Sequence, residues 1–188
     1  MPLTNASFTD RFLIAMPNLA DPHFFHSVTY ICEHNREGAM GIMINHPLHL
    51  QLGDVLRQMK IPTTNRQALQ QPLFMGGPVH PERGFVLHAS TPPWGNTRQV
   101  TPQIALTTSR DILVAMAQGQ GPKNSLVALG YAGWGPGQLE EEMAQNAWLT
   151  GPADSALIFD HPVEQRWQAA AALLGVDLTL LSPDVGHA

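Results

Sequence analysis

From Val28 to Asn45 the chain reads VTYICEHNREGAMGIMIN, and this stretch decides the fold. Val28 to His34 alternates around β-branched and aromatic side chains, the period of a half-buried strand. Met40 to Asn45 alternates too, placing Met40, Ile42 and Ile44 on one face. Between them, Asn35-Arg36-Glu37-Gly38 is a short polar connection ending in glycine, the residue that accepts the positive φ of tight hairpin loops. The segment therefore predicts an antiparallel hairpin.

Upstream, Arg11 to Met16 is an apolar run ended by Pro17 and reads as a buried strand. Asp21-Pro22 opens a helical turn through Phe25, since Asp suits a cap and Pro the first helical position. Downstream, Leu52, Val55, Leu56 and Met59 mark an amphipathic helix that stops before Pro62. A Gln- and Thr-rich loop follows. Leu73 to Met75 is a short strand entering Gly76-Gly77-Pro78, and Gly84 to Ser90 is another. Pro92 to Gly95 is a turn. Ile104 to Thr108 is a strand, after which Ser109 caps a helix carrying Ile112 and Met116.

Ser125 to Tyr131 is a continuous apolar strand, the pattern of a central position in a sheet. After the loop Gly133 to Gly137, a helix turns Leu139 and Met143 inward and Glu140, Glu141 and Glu142 outward. Trp148-Leu149 and Ala156 to Phe159 read as short strands. The last helix starts near Pro162 with an inner stripe of Val163, Trp167, Ala170, Ala171 and Leu174, and Gly175 ends it. Leu178 to Leu181 reads as an edge strand, and the tail from about 183 as loose. Hairpins mixed irregularly with helices give an α+β class with a mixed sheet, not a doubly wound fold.

At 188 residues the chain has the length of a single domain, taken as 1–188. Its charged fraction of 13% is low beside a usual ~25%, which implies much buried surface. The net charge is −5, Lys60 and Lys123 are the only lysines, and the arginines are scattered singly. Nucleic-acid binding relies on clustered Lys and Arg, so direct contact with nucleic acid is not expected. Cys32 is the only cysteine, so no intrachain disulfide can form, and a reducing, cytoplasmic setting fits. The segment Met1 to Asp10 shows no signal-peptide pattern, and no apolar run approaches the ~20 residues of a membrane span.

Phosphate-loop, Gly-x-Ser-x-Gly and Ser-x-x-Lys motifs are all missing from the sequence. Cys32 and His34, two apart on a strand, share a face in the simplest reading. The imidazole would then activate the thiol; against this, cysteine is among the most buried residue types, and that reading outweighs the reactive one. His23 with His26, and His46 with His49, have spacings that a metal site uses, with His34, His80 and His88 as further ligands. Loop histidines facing solvent are the default, and no metal or cofactor is expected. Consecutive glutamates splay around a helix, so Glu140 to Glu142 read as a solvated face. Trp134, in a glycine loop, either lines a binding site or lids the sheet end. No catalytic residue is assigned. The residues singled out as a ligand or partner surface are Gly76, Gly77, Pro78, His88, Tyr131, Trp134 and Gln138; those singled out as a reactive thiol pair are Cys32 and His34.

Several blocks together resemble one family. Phe12-Leu13-Ile14-Ala15-Met16-Pro17 with Asp21-Pro22-x-Phe24, Val28-x-Tyr30-Ile31-Cys32-Glu33-His34-Asn35, and Gly38-Ala39-Met40-Gly41-Ile42-x-Ile44-Asn45-x-Pro47-Leu48 are similar to the first half of the AlgH/YqgE-like pattern. Gly76-Gly77-Pro78-Val79, Arg83 to His88, Ser109-x-Asp111-Ile112-Leu113, Gly130 to Trp134 with Gly137 to Glu140, and Asn146-x-Trp148-Leu149 continue it, from about Phe12 to Gly175. The resemblance implies a strongly curved mixed sheet approaching a pseudo-barrel, with helices outside. It implies no catalytic residues, and a proposed regulatory link to exopolysaccharide synthesis in some bacteria is what gave the family its name. The leading expectation is a non-catalytic cytoplasmic regulatory or binding protein contacting a protein or small ligand. The alternatives are a thiol enzyme or redox sensor built on Cys32 with His34 or His88, and a direct transcriptional regulator.

Overall fold

A computed structural model of the chain describes residues 7–19, 21–89 and 93–181. The expected tail from 183 and part of the Pro92 turn lie outside the described residues. The elements in chain order are β1 (Arg11–Ala15), β2 (Val28–Asn35), β3 (Gly38–Met43), β4 (Pro47–Gln51), α1 (Leu52–Gln58), α2 (Arg66–Gln70), β5 (Pro72–Met75) and β6 (Val79–Ala89). They continue with β7 (Thr97–Gln99), β8 (Ile104–Thr107), α3 (Arg110–Ala117), β9 (Ser125–Trp134), α4 (Gln138–Ala144), β10 (Trp148–Pro152), α5 (Ser155–Phe159) and α6 (Arg166–Ala172). The hairpin forms as the sequence predicts, with Asn35 paired to Gly38 around Arg36 and Glu37.

One mixed sheet runs β10-β1-β2-β3-β9-β6-β8-β7, with β5 on β9 and β4 on β5. Every pair is antiparallel except β5 with β9. The sheet is strongly curled into a half-barrel. Its curl brings Arg98 of β7 into an ion pair with Glu33 of β2, although β3, β9, β6 and β8 lie between those strands.

Alternation along each strand builds the layers. Phe12 and Ile14, Tyr30 and Cys32, Phe85 and Leu87, and Leu126 and Ala128 face an inner core. Leu73, Val86 and Val127 face an outer layer with Leu52 and Leu56 of α1, Ala68 of α2, and Ile112 and Met116 of α3. Leu13, Ala15 and Ile31 face a second outer layer with Leu139 of α4 and Trp148. Each fully buried side chain of the Ile, Leu or Phe class contributes about 1.5–3 kcal/mol. In β9 the phase reverses at Gly130, whose φ is +78°: Leu126 and Ala128 point inward, whereas Ala132 and Trp134 point outward. This is the twist by which one strand serves both halves of the sheet.

Three expectations are corrected. Ala156 to Phe159 is not a strand but the body of α5, because Asp154 Oδ1 accepts from the amides of Ala156 (2.9 Å) and Leu157 (3.3 Å) and starts a helical turn. Leu178 to Leu181 is a 3₁₀ turn, not an edge strand, with the Asp177 side chain accepting from Thr179 N at 2.9 Å. The Gln- and Thr-rich loop contains α2, capped by Asn65 through Ala68 N at 3.0 Å. Helices α1 to α4 lie outside the curl, while α5 and α6 cover the inner core with Leu157, Ile158, Ala170 and Ala171.

Candidate functional site

The glycine blocks meet where the β5–β6 turn crosses β9. Gly76 N donates to Leu129 O at 2.8 Å. A Cβ on Gly77 would stand 2.0 Å from the carbonyl carbon of Tyr131, and one on Gly130 would stand 2.4 Å from Gly77 O. Only glycine permits two backbones to approach this closely. Pro78 lies exposed at the turn, and Tyr131 packs edge-on against Phe85 with ring centres 5.6 Å apart.

Beyond this crossing the C-terminal end of β9 leads into α4. Trp134 is buried against Trp148 and Phe24, so it lids the sheet end. Its indole N–H donates to Glu142 Oε1 at 3.0 Å, and that of Trp148 donates to the same oxygen at 2.9 Å. Gln138 accepts from Gly135 N and donates to Glu142 Oε2, each at 2.9 Å. Glu140 pairs with the Nε2 edge of His34, whose Nδ1 accepts from Phe8 N at 2.9 Å. The reading of a solvated glutamate face therefore holds for Glu141 alone; Glu140 and Glu142 are hydrogen-bond anchors for side chains on β2, β9 and β10.

Cys32 and His34 do not share a face. A β-bulge between Ile31 and Glu33 inserts one residue and breaks the alternation, sending Cys32 into the inner core while His34 turns to α4. The thiol is 2% exposed, and burial pushes it up to about 12, with Arg98 pulling weakly the other way. The thiol donates a weak hydrogen bond to Tyr30 O at 3.8 Å.

His88 lies away from the β9 terminus, paired with Ser125 at the opposite end of that strand. It is fully buried. Its ring nitrogens meet Ala89 O at 2.9 Å and Thr107 Oγ1 at 2.7 Å, and Thr107 Oγ1 lies 2.7 Å from Thr97 Oγ1. A neutral ring donating to Ala89 O and accepting from Thr107 satisfies both edges, in keeping with burial lowering its proton affinity. The structure thus sets Gly76 and Gly77 against the 128–132 stretch of β9 with Tyr131, places Trp134 and Gln138 beyond it at the junction with α4, and leaves His88 at the other end of the strand.

Among the described residues no three His, Cys, Asp or Glu side chains converge on a metal-sized site. His26 is stacked between Phe25 (3.8 Å) and Trp167 (3.7 Å), and His46 Nε2 meets Phe25 O at 3.2 Å. Burial holds both imidazoles below their ordinary value. His23 and His49 are exposed. No helix among the described residues is long and apolar enough to cross a membrane. Sequence reasoning missed the anchoring roles of Glu140 and Glu142, and it also missed Arg166, a buried arginine on α6.

Fold and site define a curled mixed α+β protein whose glycine-crossed strand is capped by an aromatic and carboxylate cluster. The chain belongs to the AlgH-like family, whose model matches residues 12–179. It is 60% identical to a UPF0301 protein of Thioalkalivibrio sulfidiphilus over 98% of each chain, and 54% identical to one of Methylococcus capsulatus over 95% of each. Among solved structures it is similar to the AlgH protein from Pseudomonas aeruginosa, at 49% identity and a TM-score of 0.81, covering 98% of each chain. Protein DIP2367 from Corynebacterium diphtheriae shares the fold at 20% identity and a TM-score of 0.73, over 97% of this chain and 94% of that one.

Proposed function

We propose that this chain is a non-catalytic regulatory or binding protein that works in the cytoplasm through contacts with a protein or small ligand. One observation carries the reading: Cys32, His34 and His88, the groups the sequence singles out for reactivity, are occupied by the fold. Cys32 is buried and held as the thiol, His88 has both ring edges bonded, and His34 is tied to Glu140 and the Phe8 amide. A buried neutral thiol is a poor nucleophile, which disfavours the thiol-enzyme reading. The scattered cations of a chain with net charge −5 disfavour direct transcriptional control through DNA.

The contact surface we assign runs along the C-terminal half of β9, from exposed Pro78 and half-buried Tyr131 at the glycine crossing to exposed Gln138 at the start of α4. A thermal-shift panel of small molecules, together with a pull-down repeated with Tyr131→Ser and Gln138→Ala, tests the reading. Stabilisation by a ligand, or capture lost in these variants, is expected. Turnover of a substrate that depends on Cys32 or His34 would overturn it.

A further inference from the structure

A second region lies at the other end of β9. There an open cleft of about 800 Å³ runs between α2, the start of β9 and the α5–α6 segment. Its volume falls within the range of small-molecule sites, roughly 300–1,000 Å³. Arg166 lines it from α6 and is 5% exposed. The guanidinium donates to Ile44 O at 2.5 Å and His161 O at 3.0 Å, and lies over the Phe74 ring at 5.5 Å. Both hydrogen-bond partners are neutral carbonyls. Among the described residues no carboxylate is in ion-pair contact with it; Asp160, which also borders the cleft, and Glu164 act only at longer range.

A buried cation without an adjacent anion is costly, and an anion entering the cleft would offset that cost. A guanidinium has five donors, so two carbonyls leave donor capacity for an oxyanion. Lys123, one of the chain's two lysines, borders the same cleft. Amides also line the cleft, with Gln67, Gln70 and Asn124 exposed along it, next to apolar Pro72, Phe74, Pro122 and Phe159. Amides donate and accept at once, which suits hydroxyl groups better than it suits an apolar body.

We propose that this cleft binds a small, hydroxyl-rich phosphate ester of the sugar-phosphate class, its phosphate drawn by Arg166 and Lys123 and its hydroxyls met by Gln67, Gln70 and Asn124. The inference rests on the reading of the chain as a binding protein and names a ligand class for it. The bland alternative makes Arg166 only a clamp that ties α6 to the end of the hairpin through Ile44 O.

Titration of the full ¹⁵N-labelled chain with glucose 6-phosphate, inorganic phosphate and glucose decides between them. Saturable shifts at Gln70, Asn124, Ser125 and the Arg166 Nε–H are expected with glucose 6-phosphate, weaker ones with phosphate, and none with glucose. Lys123→Glu, at an exposed position, should weaken glucose 6-phosphate about tenfold without altering the melting temperature. Gln70→Ala should weaken the ester and leave phosphate unchanged. Arg166→Met should abolish the shifts with glucose 6-phosphate, and the other two variants keep the test valid if it fails to fold. No saturable change up to about 10 mM, shifts that map elsewhere, or unchanged affinity in Lys123→Glu overturns the proposal. Phosphate binding as tightly as the ester overturns the sugar-phosphate assignment. If the cleft stays empty while Tyr131→Ser still abolishes a contact, this inference fails and the binding reading stands. If turnover depends on Cys32 or His34, the binding reading itself falls.

Discussion

Replacing Glu142 with alanine removes one half-buried carboxylate and strands two indoles. Trp134 and Trp148 are 6% and 4% exposed, and both N–H groups end on Glu142 Oε1 at 3.0 and 2.9 Å. A hydrogen bond to a charged group contributes about 1.5–3 kcal/mol, and a buried donor left unmet loses its full solvation. Two donors sharing one oxygen are not additive, so we expect Glu142→Ala to cost about 3 kcal/mol in total. For a chain of this size that is a fall of roughly 6–12 °C in Tm. Glu142→Gln keeps an oxygen for the indoles and loses charge and the Gln138 contact, so it should cost about 1 kcal/mol. Urea unfolding followed by tryptophan fluorescence and by far-UV circular dichroism measures both, with an unchanged slope confirming that native compactness is kept. A Glu142→Ala protein within about 0.5 kcal/mol of the parent would refute the reasoning, as would a Glu142→Gln variant equally damaged.

Two further outcomes are expected. Gly77→Ala should cost upward of about 3 kcal/mol, because its Cβ would fall 2.0 Å from backbone, whereas Gly84→Ala, with nothing within 4 Å, should be near neutral; thermal melts of the pair compare them. The Cys32 thiol is raised from its ordinary value of 9.0 to about 12, so the folded state binds that proton more tightly than the unfolded one. Its contribution is whole below pH 9.0 and is lost as pH climbs toward 12, and Cys32→Ala should flatten that part of the alkaline decline in unfolding free energy, measured by urea titration from neutral to alkaline pH. Tyr30, raised by burial and its bond to Asp10, adds to the decline and remains in the variant.

What the sequence revealed of the fold depended on whether the deciding partner was near in the chain. The β2–β3 hairpin with Gly38, the helical stripes of α1 and α3 and the continuous apolar run of β9 are local patterns, and all were legible; Ser109 stands at the N-cap of α3, but its hydroxyl accepts from Asn96 N and donates to Asp111, and does not meet a helix amide. The segment Ala156 to Phe159 is apolar and short, a pattern that strand and helix share, and Asp154 decides it through a cap two residues upstream. The bulge that separates Cys32 from His34 leaves no local mark, since it answers to the register of β3. Along β9, the sequence showed Gly76 and Gly77 only as the end of a short strand and Gly130 only as part of a matched block, and the backbone crossing between them became visible in the structure. Glu140 reaches His34, more than a hundred residues away; Glu142 meets Trp134 and Trp148 close by in the chain, but on two different strands that only packing brings to one carboxylate. Arg166 escaped notice for the same reason: its carbonyl partner Ile44 sits in the hairpin, and only packing buries its charge.

Strand β9 is hydrogen-bonded to β3, β5 and β6, yet it occupies residues 125–134 of 188. During synthesis, three earlier strands emerge with their common neighbour still inside the ribosome. The sheet cannot close until most of the chain is free, which makes for slow, non-local assembly and a nascent chain with open edges. A truncation before residue 125 should accordingly behave as a client of chaperones, because it lacks the keystone on which three of its strands depend.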